Sequence, residues 1–80
     1  MDDQDILQRI HRLADEERGL EEAHVGEGLS GEERDRLQAL QVSLDQCWDL
    51  LRQRAARRNA GLDPDAAAVR PASVVEGYQQ

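Results

Sequence analysis

Residues 37–51 read LQALQVSLDQCWDLL, and the spacing of their apolar side chains decides the architecture. Leu37, Leu40, Leu44, Cys47 and Leu51 recur at alternating intervals of three and four. Side chains so spaced fall on one stripe of an α-helix, which is the seam of a coiled coil. On the N-terminal side, Ser30-Gly31-Glu32-Glu33 fits a capping box. The Ser30 hydroxyl accepts from the Glu33 amide and the Glu33 carboxylate reaches back. On the C-terminal side the pattern runs out near Ala60. Gly61 then supplies the left-handed residue that ends a helix, and Leu62 the apolar contact that goes with it. A helix over 30–60 is expected.

A second stripe precedes the first. Ile6, Ile10, Leu13 and Leu20 are apolar, and Glu17 and His24 continue the same rhythm. Asp2 or Asp3 can cap this helix, and Asp5 adds negative charge where the helix dipole favours it. Gly26 and Gly28 stop it, so the helix is expected over 3–25 and the turn over 26–29. So short a connection makes the helices antiparallel neighbours. Pairing residues whose numbers add to 57 sets Leu20 against Leu37, Leu13 against Leu44, Ile10 against Cys47 and Ile6 against Leu51. The same register sets Asp3 near Arg54 and Asp5 near Arg52. It leaves Glu17 opposite Leu40, where its carboxylate must reach solvent, Arg36 or Arg18. The fold class is all-α: an antiparallel two-helix coiled-coil hairpin over residues 1–61, with a C-terminal tail over 62–80. In the tail, Asp63-Pro64-Asp65 reads as an N-cap followed by proline at the first helical position, giving a short helical turn over 64–69. Pro71 breaks that turn, and the pattern assigns no element to 73–80.

Composition narrows function mostly by exclusion. The net charge of −7 and ten arginines without a lysine describe an acidic chain. A general nucleic-acid binder needs a basic surface, and a base-stacking platform needs more aromatics than Trp48 and Tyr78. No apolar run is long enough to span a bilayer, and the acidic start MDDQDILQRI lacks the basic and apolar segments of a leader. One cysteine permits no internal disulfide, which suits a reducing compartment. A cytoplasmic protein without a membrane partner or a small-molecule substrate is expected.

No catalytic or cofactor constellation emerges, so the chain reads as a non-enzyme without cofactor or metal. Cys47 lies on the seam and reads as a small buried hydrophobe. His11 and His24 occupy different faces and lack partners at metal-ligand spacing. The acidic runs Asp15-Glu16-Glu17 and Glu21-Glu22 point in diverging directions, as consecutive helical residues do. Gly26, Gly28 and Gly31 follow no strand and precede no lysine, which excludes a phosphate loop.

What remains is interaction. A chain of 80 residues struggles to bury enough apolar surface alone. A second apolar set, Leu7, Ala14, Trp48, Leu50 and Ala55, flanks the seam and calls for a cover. A second copy would make a four-helix bundle. The alternative cover is the chain's own tail through Leu62, Val69, Val74, Val75 and Tyr78. The sequence favours a homodimer or a helical protein partner, with Leu7, Trp48, Leu50, Arg57, Arg58 and Tyr78 as interface candidates. The alternative function is a small regulator that reaches nucleic acid or the transcription machinery through the basic cluster Arg52, Arg54, Arg57 and Arg58. Those arginines also suit a helix C-terminus and face Asp2, Asp3 and Asp5, while Arg57 and Arg58 overhang the first helix and are expected to stay free.

Three segments carry a resemblance: MDDQDILQRIH at the start, LDQCWDLLRQRAARRNAGLDPD in the middle and VRPASVVEGY near the end. Together they resemble a small actinobacterial family of stand-alone proteins of this length, a domain of unknown function. The resemblance covers the whole chain, and LDQCWDLLRQR is its most specific part. It implies a bacterial, soluble, two-helix protein and no assigned activity.

Overall fold

The structure is a computed structural model that describes residues 1–23 and 28–77. Helix α1 spans Asp3–Ala23 and helix α2 spans Gly31–Asn59. A 3-10 turn at Pro64–Ala66 and a short helix α3 at Ala72–Gly77 follow. Among the described residues there is no strand, and no helix is long and apolar enough to cross a membrane. Residues 24–27, which hold the expected end of the first helix and the first half of the turn, lie outside the described residues.

The helix ends form as their local chemistry requires. Asp2 and Asp5 make a reciprocal cap: the Asp5 amide donates to Asp2 Oδ1 at 2.8 Å and the Asp2 amide to Asp5 Oδ2 at 3.2 Å. Ser30 and Glu33 form the expected capping box at the start of α2. At its end, Gly61 has φ +74°. The Leu62 amide donates to the Arg57 carbonyl and the Gly61 amide to the Arg58 carbonyl, the two bonds of a Schellman motif. Leu62 itself is exposed and contributes no core contact.

The helices are antiparallel, as ion pairs at both ends show. Arg54 meets Asp3 at one end and Arg36 meets Glu16 at the other. The core holds Ile6, Ile10, Cys47 and Leu50, with Leu13, Leu44, Leu51 and Ala67 packed against it. Ile10 and Cys47 therefore share one cluster, as the 57 register requires. Three expectations change at the charged positions. Asp5 and Arg52 form no ion pair: Arg54 faces α1, and a residue two places away points about 200° around the helix. Glu16, one place from the expected Glu17, takes Arg36, while Arg18 pairs with Asp15 at 3.0 Å. Arg57 and Arg58 are engaged, Arg57 donating to the Asp63 carbonyl and Arg58 pairing with Asp3 at 3.0 Å.

The tail docks on α2. Its helical turn ends at Ala66, before the expected 69, because Ala67 is already extended at φ −68°, ψ 145°. The chain then runs to Pro71, and a residue before proline avoids the helical region. Beyond Pro71 it turns helical again, and α3 buries Val75 to 1% exposure. The molecule measures 50 × 26 × 15 Å, long and flat, with α2 in the middle.

Candidate interaction surface

Four consecutive residues of α2 explain how its surface is divided. Helical steps of about 100° send Cys47, Trp48, Asp49 and Leu50 in four directions. Cys47 turns to α1 and joins the core. Asp49 turns to the tail and is 1% exposed. Leu50, at 6%, joins the same core, against which Ala67 packs. The expectation that Leu50 belongs to an interface is corrected here: the chain's own elements cover it. Trp48 turns to the remaining side and stays 45% exposed.

Leu7 shares that side, at 38% exposure. In an antiparallel pair, one step past the seam turns both helices to the same face, so Ile6-to-Leu7 and Cys47-to-Trp48 open on the same side. The opposite face carries a shallow hollow of about 220 Å³ whose lining includes Met1, Ile6, Arg9, Leu50 and Val69. The described part of the tail thus leaves Trp48 exposed. Its own Leu62, Val69 and Val74 remain exposed rather than forming a lid over Trp48. Tyr78 lies outside the described residues.

The tail is held by polar side chains that periodicity did not single out. Arg70 clasps Asp49 with two nitrogens, its Nε donating to Oδ2 at 2.9 Å and its Nη2 to Oδ1. Gln53 Nε2 donates to Asp49 Oδ2 and to the Ala68 carbonyl, both at 2.9 Å. Gln46 Nε2 donates to the Arg70 carbonyl at 3.1 Å. Gln46, Asp49 and Gln53 stand at i, i+3 and i+7, so one polar stripe reads the extended backbone of the tail. The Arg70 hydrogen bond holds the Asp49 carboxyl below its ordinary pKa, against the burial that would raise it.

Arg54 is a second tie. Its Nη1 donates to Asp65 at 2.9 Å and to the Pro64 carbonyl at 3.3 Å, while Nε donates to Asp3. Three segments of chain therefore meet on one buried guanidinium. Hydrogen bonds from Arg54 and then Arg58 lower the Asp3 pKa. Of the basic cluster, Arg54, Arg57 and Arg58 are engaged in these contacts, and Arg52 alone makes no hydrogen bond or ion pair among the described residues.

Asp45 and Glu76 form a contrasting group. They line one hollow with Gln38, Gln41 and Val42. The Asp45 carboxyl against Glu76, followed by burial, pushes the Glu76 pKa up. Glu76 Oε1 is buried without a hydrogen-bond partner among the described residues. Cys47 is buried and His11 exposed, while His24 lies outside the described residues. Among those described, no three His, Cys, Asp or Glu side chains gather as a metal site would need.

The family model described as "Protein of unknown function (DUF2630)" matches residues 2–80. Among the relatives are "Uncharacterized protein Rv0898c" of Mycobacterium tuberculosis and "Uncharacterized protein Mb0922c" of Mycobacterium bovis. Each is 48% identical over 77 residues, covering 95% of this chain and 88% of its own. No solved structure matches the chain.

Proposed function

This chain belongs to the DUF2630 family, and from that premise we propose that it is a non-catalytic interaction module that associates with itself through the face bearing Trp48. The observation that carries this reading is the exposure of the chain's one tryptophan, 45%, on the side that neither α1 nor the described part of the tail covers. Tryptophan contributes strongly to interfaces because it buries a large rigid surface at little entropic cost. Leu7 extends the patch across the seam. A molecule this thin gains apolar burial by stacking face on face, as two-helix units do when they form four-helix bundles.

Light scattering after size exclusion tests the reading. Across the micromolar range the wild type should approach twice the 9.0 kDa chain mass, and Trp48→Glu should remain a folded 9.0 kDa species. A wild type that stays at the chain mass to several hundred micromolar removes the proposal.

A further inference from the structure

A surface that meets a copy of itself across a two-fold axis must be complementary to itself. The strip of α2 around Trp48 has that property in its charges. Asp45 stands one turn before Trp48 and Arg52 one turn after, within about 60° and 40° of it around the helix. Among the described residues neither forms an ion pair with an opposite charge, although Arg52 lies near enough to Asp49 to help lower its pKa. Arg52 is exposed and makes no ion pair among the described residues. Asp45 faces the carboxyl of Glu76 instead of a cation, and Glu76 Oε1 is buried without a partner. The α2–α3 junction thus sets two carboxyls side by side, and an arginine that forms no ion pair among the described residues lies two turns away on the same strip.

We propose that two copies join across a two-fold axis at Trp48, with their α2 helices antiparallel and Arg52 of each copy against Asp45 of the other. This deepens the self-association reading and rests on it. With Trp48 facing its counterpart, the axial positions of Arg52 and of the second copy's Asp45 differ by about one residue rise, roughly 1.5 Å. The two tryptophans fill the centre of the interface. The two charge pairs flank it and set the antiparallel direction, because a parallel arrangement would leave the charges unmatched.

Charge reversal in mixed populations is the test, read by native mass spectrometry and sedimentation. Arg52→Asp alone places acid against acid at both pairs, and Asp45→Arg alone places base against base. Each should weaken self-association by about tenfold or more. An equimolar mixture restores both pairs, so heterodimers should form at close to wild-type affinity. Because Asp45→Arg also touches the α3 contact, a second measurement leaves Asp45 in place. Cysteines introduced at Gln41 in one population and at Ala55 in another are brought opposite each other by the two-fold axis. Oxidation of the mixture should give the mixed disulfide in preference to either homodisulfide. Single variants that dimerise like wild type, or homodisulfides in the majority, overturn this geometry while a dimeric wild type upholds self-association. A monomeric wild type overturns both.

Discussion

Arg70 and Arg57 differ in what they would leave behind. Arg70 neutralises a carboxylate that is 1% exposed, whereas Arg57 donates to one surface carbonyl. Removing one partner of a buried ion pair strands the other charge. Arg70→Ala should therefore cost about 3 kcal/mol in urea denaturation, and Arg57→Ala about 0.5 kcal/mol or less. Similar costs for the two would show that Asp49 is not held as described. The carboxyls also set opposing pH trends. Asp3 and Asp49 have lowered folded pKa values, so their stabilisation is present above the ordinary 3.8 and is lost as pH falls below it. Glu76 has a raised one, so its contribution is complete below 4.5 and is lost as pH rises through its folded value. Dilute protein should be most stable in mildly acidic solution. Glu76→Gln should flatten the decline toward neutral pH and leave the acid limb in place; an unchanged neutral-side slope contradicts the Asp45–Glu76 contact. Little of this polar chemistry was legible from residue types. Gln46, Asp49 and Gln53 look like a solvated stripe until the tail returns across them. Arg70, the one arginine after residue 58, carries no local sign of where it docks.

The elements obey local rules closely enough for small substitutions to be forecast. Gly19 lies inside α1 with open space where a β-carbon would stand. Gly19→Ala should stabilise the protein by about 0.5–1 kcal/mol, seen as a higher thermal midpoint. Gly61 sits at φ +74°, where an added β-carbon strains the backbone, so Gly61→Ala should destabilise by about 1 kcal/mol. Opposite signs for two Gly→Ala changes make a sharp check on both helix assignments; equal signs would refute one of them. At this scale the sequence was informative. The Ser30–Glu33 box, the Gly61 stop and the apolar rhythm from Leu37 to Leu51 act over a few residues, and each formed. The failures have physical reasons. Ala67–Arg70 gives up helix because Pro71 favours an extended predecessor and because extended carbonyls are what Gln46 and Gln53 bind. Periodicity assigns no element at α3 because its six residues hold one buried side chain, Val75, and a single apolar contact has no period.

At the scale of the whole molecule, the tail acts as a third layer member rather than a lid. Its described part lies along α2, shields Asp49 and Leu50, and leaves Trp48 45% exposed. Removing residues 64–80 should expose the Asp49 carboxylate and lower the thermal midpoint by about 10 °C or more, as read by circular dichroism; an unchanged midpoint would mean the tail is not part of the fold. Of the apolar flank, Leu50 is covered within the chain, while Trp48 stays 45% exposed, and the proposed association would use that side. That division is also what the sequence could not show, because residues 47–50 are contiguous in the chain and diverge only in space. The chain's one tryptophan offers the most direct measurement of it. Emission from Trp48 should be that of a solvent-exposed indole in dilute protein, and should shift to shorter wavelength as concentration rises and the face is buried. Emission that is already blue-shifted at the lowest concentration and does not change on concentration would contradict it.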